Sequence, residues 1–188
     1  AAKKTKKSKK AKDQKEEKPQ FKKVSRTGWV LNLKFELIEP SRFSFFAGQY
    51  VSLLVGTDGV RRSYSIVSTP DIEHGFALLV ELIPGGRGSE FLMQLEIGGE
   101  AEILAPLGRF VVDNEKYSSD PVLQYPSKLL FVATGSGIVP IWSMIHDLLI
   151  NQKYSGPIRL HWGMRSEADL FWLDHLERLT ETYPYFVY

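Results

Sequence analysis

Apolar and polar residues alternate over much of the first two thirds of the chain. In WVLNLKFELI (29–38), Leu31, Leu33 and Phe35 share one face, which predicts a half-buried antiparallel strand. The same kind of pattern predicts further strands at residues 48–55, 62–68, 75–83, 100–105 and 108–112. Turn-forming residues separate these runs. Many short strands at close spacing predict a small antiparallel β-barrel or sandwich.

After residue 125 the pattern changes to alternating strands and helices. KLLFVATGSGIVP (128–140) is a continuous apolar strand that runs into a glycine turn, and the apolar residues of 141–149 recur at helical spacing. A strand, a helix and a strand are then predicted at residues 157–163, 166–179 and 185–188. Ser166 and Asp169 have the spacing of a capping box at the start of the second helix.

The order of these elements predicts the fold class. Strand–helix–strand–helix–strand is typical of a parallel α/β sheet. We therefore predict an antiparallel β-barrel over residues 21–124, followed by a Rossmann-like α/β half over residues 125–188. The α/β half is expected to be truncated after its third strand.

Composition narrows the classes of function. The 188 residues are 43% hydrophobic and 12% aromatic, as in a globular protein with a buried core. No run approaches the roughly 18 apolar residues of a membrane span, and no signal peptide is recognisable, so a cytoplasmic protein without a membrane span is expected. With no cysteine, disulfides, thiolate catalysis and cysteine-ligated metal centres are excluded within this chain. The four histidines lack ligand spacing, so no metal site is predicted.

Charge is concentrated at the amino-terminal end. Residues 1–18 contain nine lysines and carry a net charge of +6, which leaves −4 on the remainder. A lysine-rich stretch without aromatic residues predicts a disordered tail or linker, assigned to residues 1–20. Lysine blocks also bind nucleic acid or anionic lipid, but without interleaved aromatic residues the solvated linker is favoured and no nucleic-acid partner is expected. The chain begins with Ala1, as expected of a processed chain or one cut from a longer protein.

The predicted strand RSYSIVS (62–68) carries polar side chains where an apolar run is expected. Either this strand lies at an exposed edge, or a polar and aromatic group covers it. Arg62 and Tyr64 are two residues apart and therefore share one face. A guanidinium matches the geometry of a phosphate, and a phenol ring offers a flat stacking surface.

Two glycine-rich turns have the features of phosphate-binding sites. Gly86 to Ser89 precede a short predicted helix with Ser89 as its N-cap, where free backbone N–H groups suit a diphosphate. Residues 134–137, TGSG, lie between a parallel strand and a helix, the usual place of a nucleotide phosphate. Each turn alone is a weak signal. Together with Arg62 and Tyr64, in this order, they favour a nucleotide-binding protein.

With these segments the chain resembles the ferredoxin–NADP reductase family from about residue 21 onward. The resemblance is carried by AGQYVSL, RSYSIVS, GGRGSEFL, APLGRF, ATGSGIVP and HWGMRSEADLFWLDHL. It implies a flavin-binding antiparallel barrel followed by a pyridine-nucleotide domain, with FAD as cofactor and NADPH or NADH as co-substrate. It further implies that electrons pass through the flavin to ferredoxin or another redox partner protein.

The resemblance also implies roles for individual residues. Arg62 would bind the flavin phosphate, while Tyr64 would pack on the flavin ring and Ser65 would bond near its N5, which makes these two the catalytic candidates. The residues implied to hold the FAD diphosphate are Gly86, Gly88 and Ser89. The residues implied to face NAD(P)H are Thr134, Gly135 and Gly137. Arg165 either binds the 2′-phosphate of NADPH or merely precedes the second helix.

Several positions leave alternatives open. Tyr64 and Ser65 point to opposite faces of a regular strand, so both can serve one ring only if it sits edge-on at the strand's end. Arg61 is expected to face solvent, and Arg87 either assists the diphosphate or is simply exposed. Glu81 stands where the family usually carries a basic residue.

The family's further strands, its Cys-Gly segment and its C-terminal piece beside the flavin are not found in this sequence. In a 3-2-1-4-5 strand order, the first α/β strand would then form an edge, and the nucleotide crevice would have one wall. Three functions therefore compete. They are an FAD-dependent NAD(P)H oxidoreductase, a flavin-binding electron-transfer module without dehydrogenase activity, and an interaction domain that binds no flavin.

Overall fold

The antiparallel half contains six strands and one helix in the part of the chain that the structure describes. The computed structural model describes residues 20–23, 29–112 and 125–188. The strands are β1 (Gln20–Lys23), β2 (Trp29–Glu36), β3 (Tyr50–Leu54), β4 (Arg61–Ser65), β5 (Gly75–Leu82) and β6 (Ile103–Leu107), and helix α1 (Arg87–Gln94) follows β5.

These strands form two three-stranded antiparallel sheets. Their orders are β1-β2-β5 and β4-β3-β6, and an isolated bridge between Ile66 and Leu78 joins the two sheets. The predicted antiparallel domain is confirmed. Within the described ranges its strands pair as two sheets and do not close into one continuous barrel.

Strand β5 divides its side chains between two environments. Phe76, Leu78, Val80 and Leu82 are buried in the core between the two sheets, together with Leu31, Val51, Leu53 and Ile66. Because successive side chains of a strand alternate, Leu79 and Glu81 point to the opposite face. That face looks towards the second half of the protein, where Leu79 packs against a separate core.

The α/β half is a parallel sheet with helices on one face. In chain order it consists of β7 (Leu129–Thr134), a 3-10 turn (Gly135–Gly137), α2 (Ile138–His146) continued by a π-turn (Asp147–Asn151), β8 (Ile158–Gly163), a 3-10 turn (Glu167–Asp169), α3 (Leu173–Thr182) and β9 (Phe186–Val187). The sheet order is β7-β8-β9, with parallel pairing throughout. The predicted α/β half is confirmed, and its first strand, β7, is an edge strand among the described residues.

Among the residues that the structure describes, one face of strand β7 is exposed. Phe131 and Ala133 of β7 are buried against α2, whereas Leu130 and Val132 are 63% and 66% exposed. The alternation follows the period of two that a strand imposes on its side chains.

The two halves meet along α2. The hydroxyl of Ser143, which is fully buried, donates to the backbone oxygen of Ser68 at 2.6 Å. A β-carbon at Gly48 would overlap both Met144 of α2 and the backbone oxygen of Phe110. The glycine, with φ of +99°, therefore allows α2 to approach the antiparallel half closely.

Some sequence-based boundaries were wrong. The strands predicted at 100–105 and 108–112 are replaced by the single strand β6, because Gly108 with φ of +95° turns the chain at its end. Ser166 and Asp169 are hydrogen-bonded to each other at 2.9 Å, but they open a 3-10 turn rather than the helix. Helix α3 begins only at Leu173. The two residues before it are held by tertiary contacts, because Phe171 packs on Trp162 and Trp172 packs on Trp142.

The lysine-rich tail predicted for residues 1–20 lies outside the described residues, apart from Gln20, which starts β1. The boundary between residues 21–124 and 125–188 stays a prediction, because residues 113–124 are also outside them. Among the helices that the structure describes, none is both long and apolar enough to cross a membrane.

Candidate functional site

Strand β4 and the start of α1 bring the first two predicted segments together. Arg62 and Tyr64 lie on the same face of β4, opposite Leu53 and Val51 of β3. Both side chains contact Gly88, since a β-carbon there would overlap the phenol oxygen of Tyr64 and lie 3.2 Å from Arg62 Cγ. The glycine at position 88 thus lets the helix start lie directly on this face of the strand.

The loop before α1 is held in place by Ser89. Its side chain, 6% exposed, accepts a hydrogen bond from the backbone N–H of Ile83 at 2.8 Å. The N-cap of the helix is Gly86, and Ser89 is the third helical residue, so the prediction of Ser89 as N-cap was wrong. The first N–H groups of a helix have no partner within it, so they remain available to an anion at this turn.

Two arginines near this turn have carboxylate partners. Arg87 pairs with Asp58 at 2.6 Å, and this hydrogen bond holds the pKa of the Asp58 carboxyl below its usual value. Arg61 donates to the backbone oxygen of Ser52 at 3.0 Å and pairs with Glu102. Its side chain is only 25% exposed, so the expectation that it faces solvent was wrong. Lying on the opposite face of β4 from Arg62, it turns towards β3 instead.

A cleft of about 260 Å³ lies between the two halves. Its lining residues are Ser63, Tyr64 and Ser65 of β4, Leu79, Val80, Glu81 and Ile83 at β5, and Ser136 and Val139 at the start of α2. Tyr64 and Ser65 border the same cleft although they are neighbours in a strand. Burial raises the pKa of the Tyr64 phenol above its usual value, and the charge of Arg62 opposes this shift, so the phenol is neutral near pH 7.

Of the nine residues that line the cleft, only Tyr64 and Ser65 were predicted as site residues, and the polar residues Glu81 and Ser136 are among those missed. Glu81 was noted only because it stands where the family usually carries a basic residue. It lies two residues after Leu79 in β5, so both side chains are on the same face of the strand, and both residues line the cleft. Ser136 was not among the residues of the TGSG turn that were predicted to bind a ligand, but it lines the cleft beside Val139.

The second predicted turn follows β7. Thr134 ends the strand, and Gly135 has φ of +54°, a conformation that favours glycine. There is open space around both Gly135 and Gly137, since a β-carbon at either position would meet nothing within 4 Å. The indole N–H of Trp162 donates to the backbone oxygen of Gly135 at 2.9 Å. Sequence reasoning missed Trp162, because nothing in its local pattern reports a bond across 27 residues.

Arg165 lies at the same edge of the parallel sheet as this turn. Thr134 pairs with Gly163 in register, and Arg165 follows two residues later. Its side chain is exposed and does not line the cleft.

An aromatic cluster packs beneath the parallel sheet. Trp142 stacks on Trp172 with ring centroids 4.3 Å apart, and His146 lies at the same distance from Trp142. The Nε2 atom of His146 is buried and has no hydrogen-bond partner among the described residues. Burial, and then the nearby His175, lower the pKa of His146 to about 4, so it is neutral at pH 7.

Two family models match the chain. An oxidoreductase FAD-binding domain matches residues 21–112, and an oxidoreductase NAD-binding domain matches residues 131–188. The ferredoxin–NADP reductase B of Sorangium cellulosum (strain So ce56) is 38% identical over 153 residues, which are 80% of this chain and 59% of that protein. Reductase component 1 of the terephthalate 1,2-dioxygenase of Comamonas sp. is 33% identical over 156 residues, 83% of this chain and 43% of that protein.

Solved structures show the same fold. The ferredoxin–NADP⁺ reductase of Plasmodium falciparum with 2′P-AMP has a TM-score of 0.72 at 21% identity, covering 90% of this chain and 68% of that one. This likeness confirms the order of an antiparallel half followed by an α/β half. The chain spans about half the length of the curated relatives it matches.

Proposed function

Because the chain belongs to the ferredoxin–NADP reductase family, we propose that it passes electrons from NAD(P)H through bound FAD to a redox partner protein. The observation that carries this proposal is the shared cleft. Tyr64 and Ser65 of β4 line one cavity together with Ser136 of the nucleotide turn, which is the turn at residues 134–137. A flavin and a nicotinamide must meet in one site for hydride transfer, and a cleft between the two halves is such a site. The names of two relatives, a ferredoxin–NADP reductase and the reductase component of a dioxygenase, support a ferredoxin or an oxygenase component as the proposed acceptor.

The residues present fit FAD. Gly88 lets Tyr64 and Arg62 lie directly against the start of α1, where the first N–H groups of the helix are available to a phosphate. We assign the binding of the FAD diphosphate to Arg62, Gly86, Gly88 and Ser89. Ser89 acts indirectly, because its hydrogen bond with Ile83 holds the loop before α1 in place. The cleft volume lies just below the roughly 300–1,000 Å³ of small-molecule sites, which suits a ring system rather than a whole dinucleotide.

FAD supplies the chemistry of accepting a hydride and releasing electrons one at a time. The chain's own residues position the reactants. The neutral phenol of Tyr64 offers a stacking face, and the hydroxyl of Ser65 offers a hydrogen bond at the ring edge. We assign Thr134, Gly135 and Gly137 to the diphosphate of NAD(P)H, because the turn is open and precedes a helix.

Arg165 makes NADPH the proposed co-substrate over NADH. Its exposed guanidinium lies at the carboxyl edge of the sheet, beside the nucleotide turn, and suits a 2′-phosphate. In Arg165→Ala, the KM for NADPH should rise while that for NADH stays the same. Equal changes in both would reject the phosphate role.

The test of the proposed function is reduction of the bound chromophore. The purified chain, loaded with FAD and freed of excess flavin, is mixed anaerobically with NADPH or NADH while its flavin absorption is followed. Bleaching by NAD(P)H supports the proposal. Loss of FAD on gel filtration contradicts it, and would favour an interaction domain that binds no flavin.

A second candidate is a flavin-binding electron-transfer module that NAD(P)H does not reduce. It is favoured by the exposed face and open edge of β7, the strand that leads into the nucleotide turn. Dithionite bleaching without NAD(P)H bleaching would select this candidate.

A further inference from the structure

Trp162 connects two strands of the α/β half at the nucleotide turn. It lies near the end of β8, where it pairs in register with Ala133 of β7. Its indole N–H donates to the backbone oxygen of Gly135 at 2.9 Å, and its ring packs edge-on against Phe171 with centroids 5.0 Å apart. The indole is therefore fixed by packing on one side and by a hydrogen bond on the other.

This bond determines the direction of one peptide plane. The backbone oxygen of Gly135 also accepts the N–H of Ile138, so two donors fix the direction of this carbonyl. In a trans peptide unit, the carbonyl oxygen and the following N–H point in opposite directions. The N–H of Ser136 must then point away from Trp162, and Ser136 is the residue of this turn that lines the cleft.

The conformation of Gly135 explains why a hydrogen bond from Trp162 matters at this turn. With φ of +54° and no atom within 4 Å of a β-carbon position, little packing restrains the residue itself. A glycine can adopt several backbone conformations at similar cost, so a turn of this kind needs an external contact to select one of them.

We propose that Trp162 is a positioning residue whose indole N–H holds the Gly135 carbonyl away from the cleft and so presents the Ser136 N–H to a phosphate of the nicotinamide dinucleotide. The inference rests on the proposed function, because it assumes that the turn binds that dinucleotide. The inference adds Trp162, which lies on β8, to the residues that shape the turn after β7.

The test compares Trp162→Phe with Trp172→Phe. The first variant removes the indole N–H and keeps an aromatic ring against Phe171. The second makes the same replacement at Trp172, which also packs on Phe171 and stacks on Trp142, so it controls for a change in aromatic packing around Phe171. Binding of NADP⁺ to the FAD-loaded proteins is measured by isothermal titration calorimetry. We expect Trp162→Phe to raise the Kd about fivefold, as for the loss of one ordinary hydrogen bond, and Trp172→Phe to leave it unchanged.

Further readouts separate positioning from general destabilisation. Flavin content and the rate of dithionite reduction should stay unchanged in Trp162→Phe, and the KM for NADPH should rise more than kcat falls. Equal Kd values for the wild type and Trp162→Phe would overturn the inference, as would equal weakening in both variants.

A measurement on the unsubstituted protein covers the case in which Trp162→Phe does not fold. Addition of NADP⁺ should slow hydrogen exchange at the Ser136 amide, and an unchanged exchange rate would overturn the inference. If the wild type binds FAD but no NADP⁺ or NAD⁺, the proposed nucleotide site itself fails, and the role of Trp162 fails with it.

Discussion

The phenol oxygen of Tyr64 lies directly against Gly88, where any β-carbon would overlap it. This contact joins the carboxyl end of strand β4 to the first turn of α1, across 24 residues of sequence. Because Arg62 Cγ approaches the same glycine, the stem of an arginine, a ring-stacking side chain and the first N–H groups of α1 lie together at this point. That convergence is what a flavin with a diphosphate tail requires.

Gly88→Ala should therefore lower both stability and flavin affinity. The new methyl group must displace Tyr64 or the helix start, and overpacking of this kind costs about 1–3 kcal/mol. We expect a lower free energy of unfolding in urea and at least a tenfold weaker FAD affinity, measured by the fluorescence of released flavin. An unchanged FAD affinity would show that Tyr64 moves aside freely and does not shape the site.

Arg62 and Arg61 make a matched pair for testing the phosphate contact. Arg62→Ala should weaken FAD binding by about 1.5–3 kcal/mol, or roughly 10–100-fold, as for the loss of a charge-assisted hydrogen bond. Arg61→Ala removes an adjacent guanidinium that is bound to Ser52 and Glu102, so it should lower stability and spare FAD affinity. The assignment fails if both variants bind FAD equally well at sub-micromolar concentration.

These relationships also mark how far the sequence alone could predict the fold. Alternation at Leu31, Leu33 and Phe35 and helical spacing after Ile141 identified the main elements, because both report local burial. The Gly86–Ser89 turn was recognised from its composition. Its internal geometry was not, because the Ser89 hydroxyl binds Ile83 instead of capping the helix. The contacts of Trp162 and Arg61 depend on tertiary neighbours that no local pattern encodes.

Glu81 should influence the electron affinity of the bound flavin. A carboxylate in the cleft, at about 10 Å and an effective dielectric of about 20, destabilises a negative charge on reduced flavin by roughly 1.7 kcal/mol. Glu81→Gln should therefore raise the two-electron midpoint potential by about 35 mV in a spectroelectrochemical titration. Glu96→Gln changes an exposed carboxylate that does not line the cleft, and should leave the potential unchanged.

His146 should make stability depend on pH. Its pKa is about 4 in the folded protein and about 6.5 when unfolded, so the unfolded state binds the proton more readily. The stability contribution is thus complete above pH 6.5 and is lost as pH falls towards 4. Between pH 7.5 and pH 5, His146 should account for a loss of about 2 kcal/mol in the free energy of unfolding.

Comparison with His146→Phe isolates this effect. The phenyl ring keeps an aromatic contact with Trp142 and cannot be protonated, so the variant should lose about 2 kcal/mol less than the wild type over the same pH interval. His175 contacts the same tryptophan and is kept in both proteins, so the difference between their pH dependences results from replacing His146. The same pH dependence in both proteins would show that His146 does not resist protonation.

Gly137→Ala should separate nucleotide binding from folding. Gly137 has φ of −61° and ψ of −12°, which alanine adopts without strain, and its β-carbon would meet nothing within 4 Å. Gly137 is the N-cap of α2 but already has helical dihedral angles, so alanine lowers the backbone entropy of the unfolded chain without strain, and the melting temperature should change little. If the open space receives the dinucleotide phosphate, the added methyl group must weaken NADP⁺ binding, by about tenfold or more, while FAD remains bound. A variant that melts at the same temperature and binds NADP⁺ with unchanged Kd would show that the phosphate lies elsewhere.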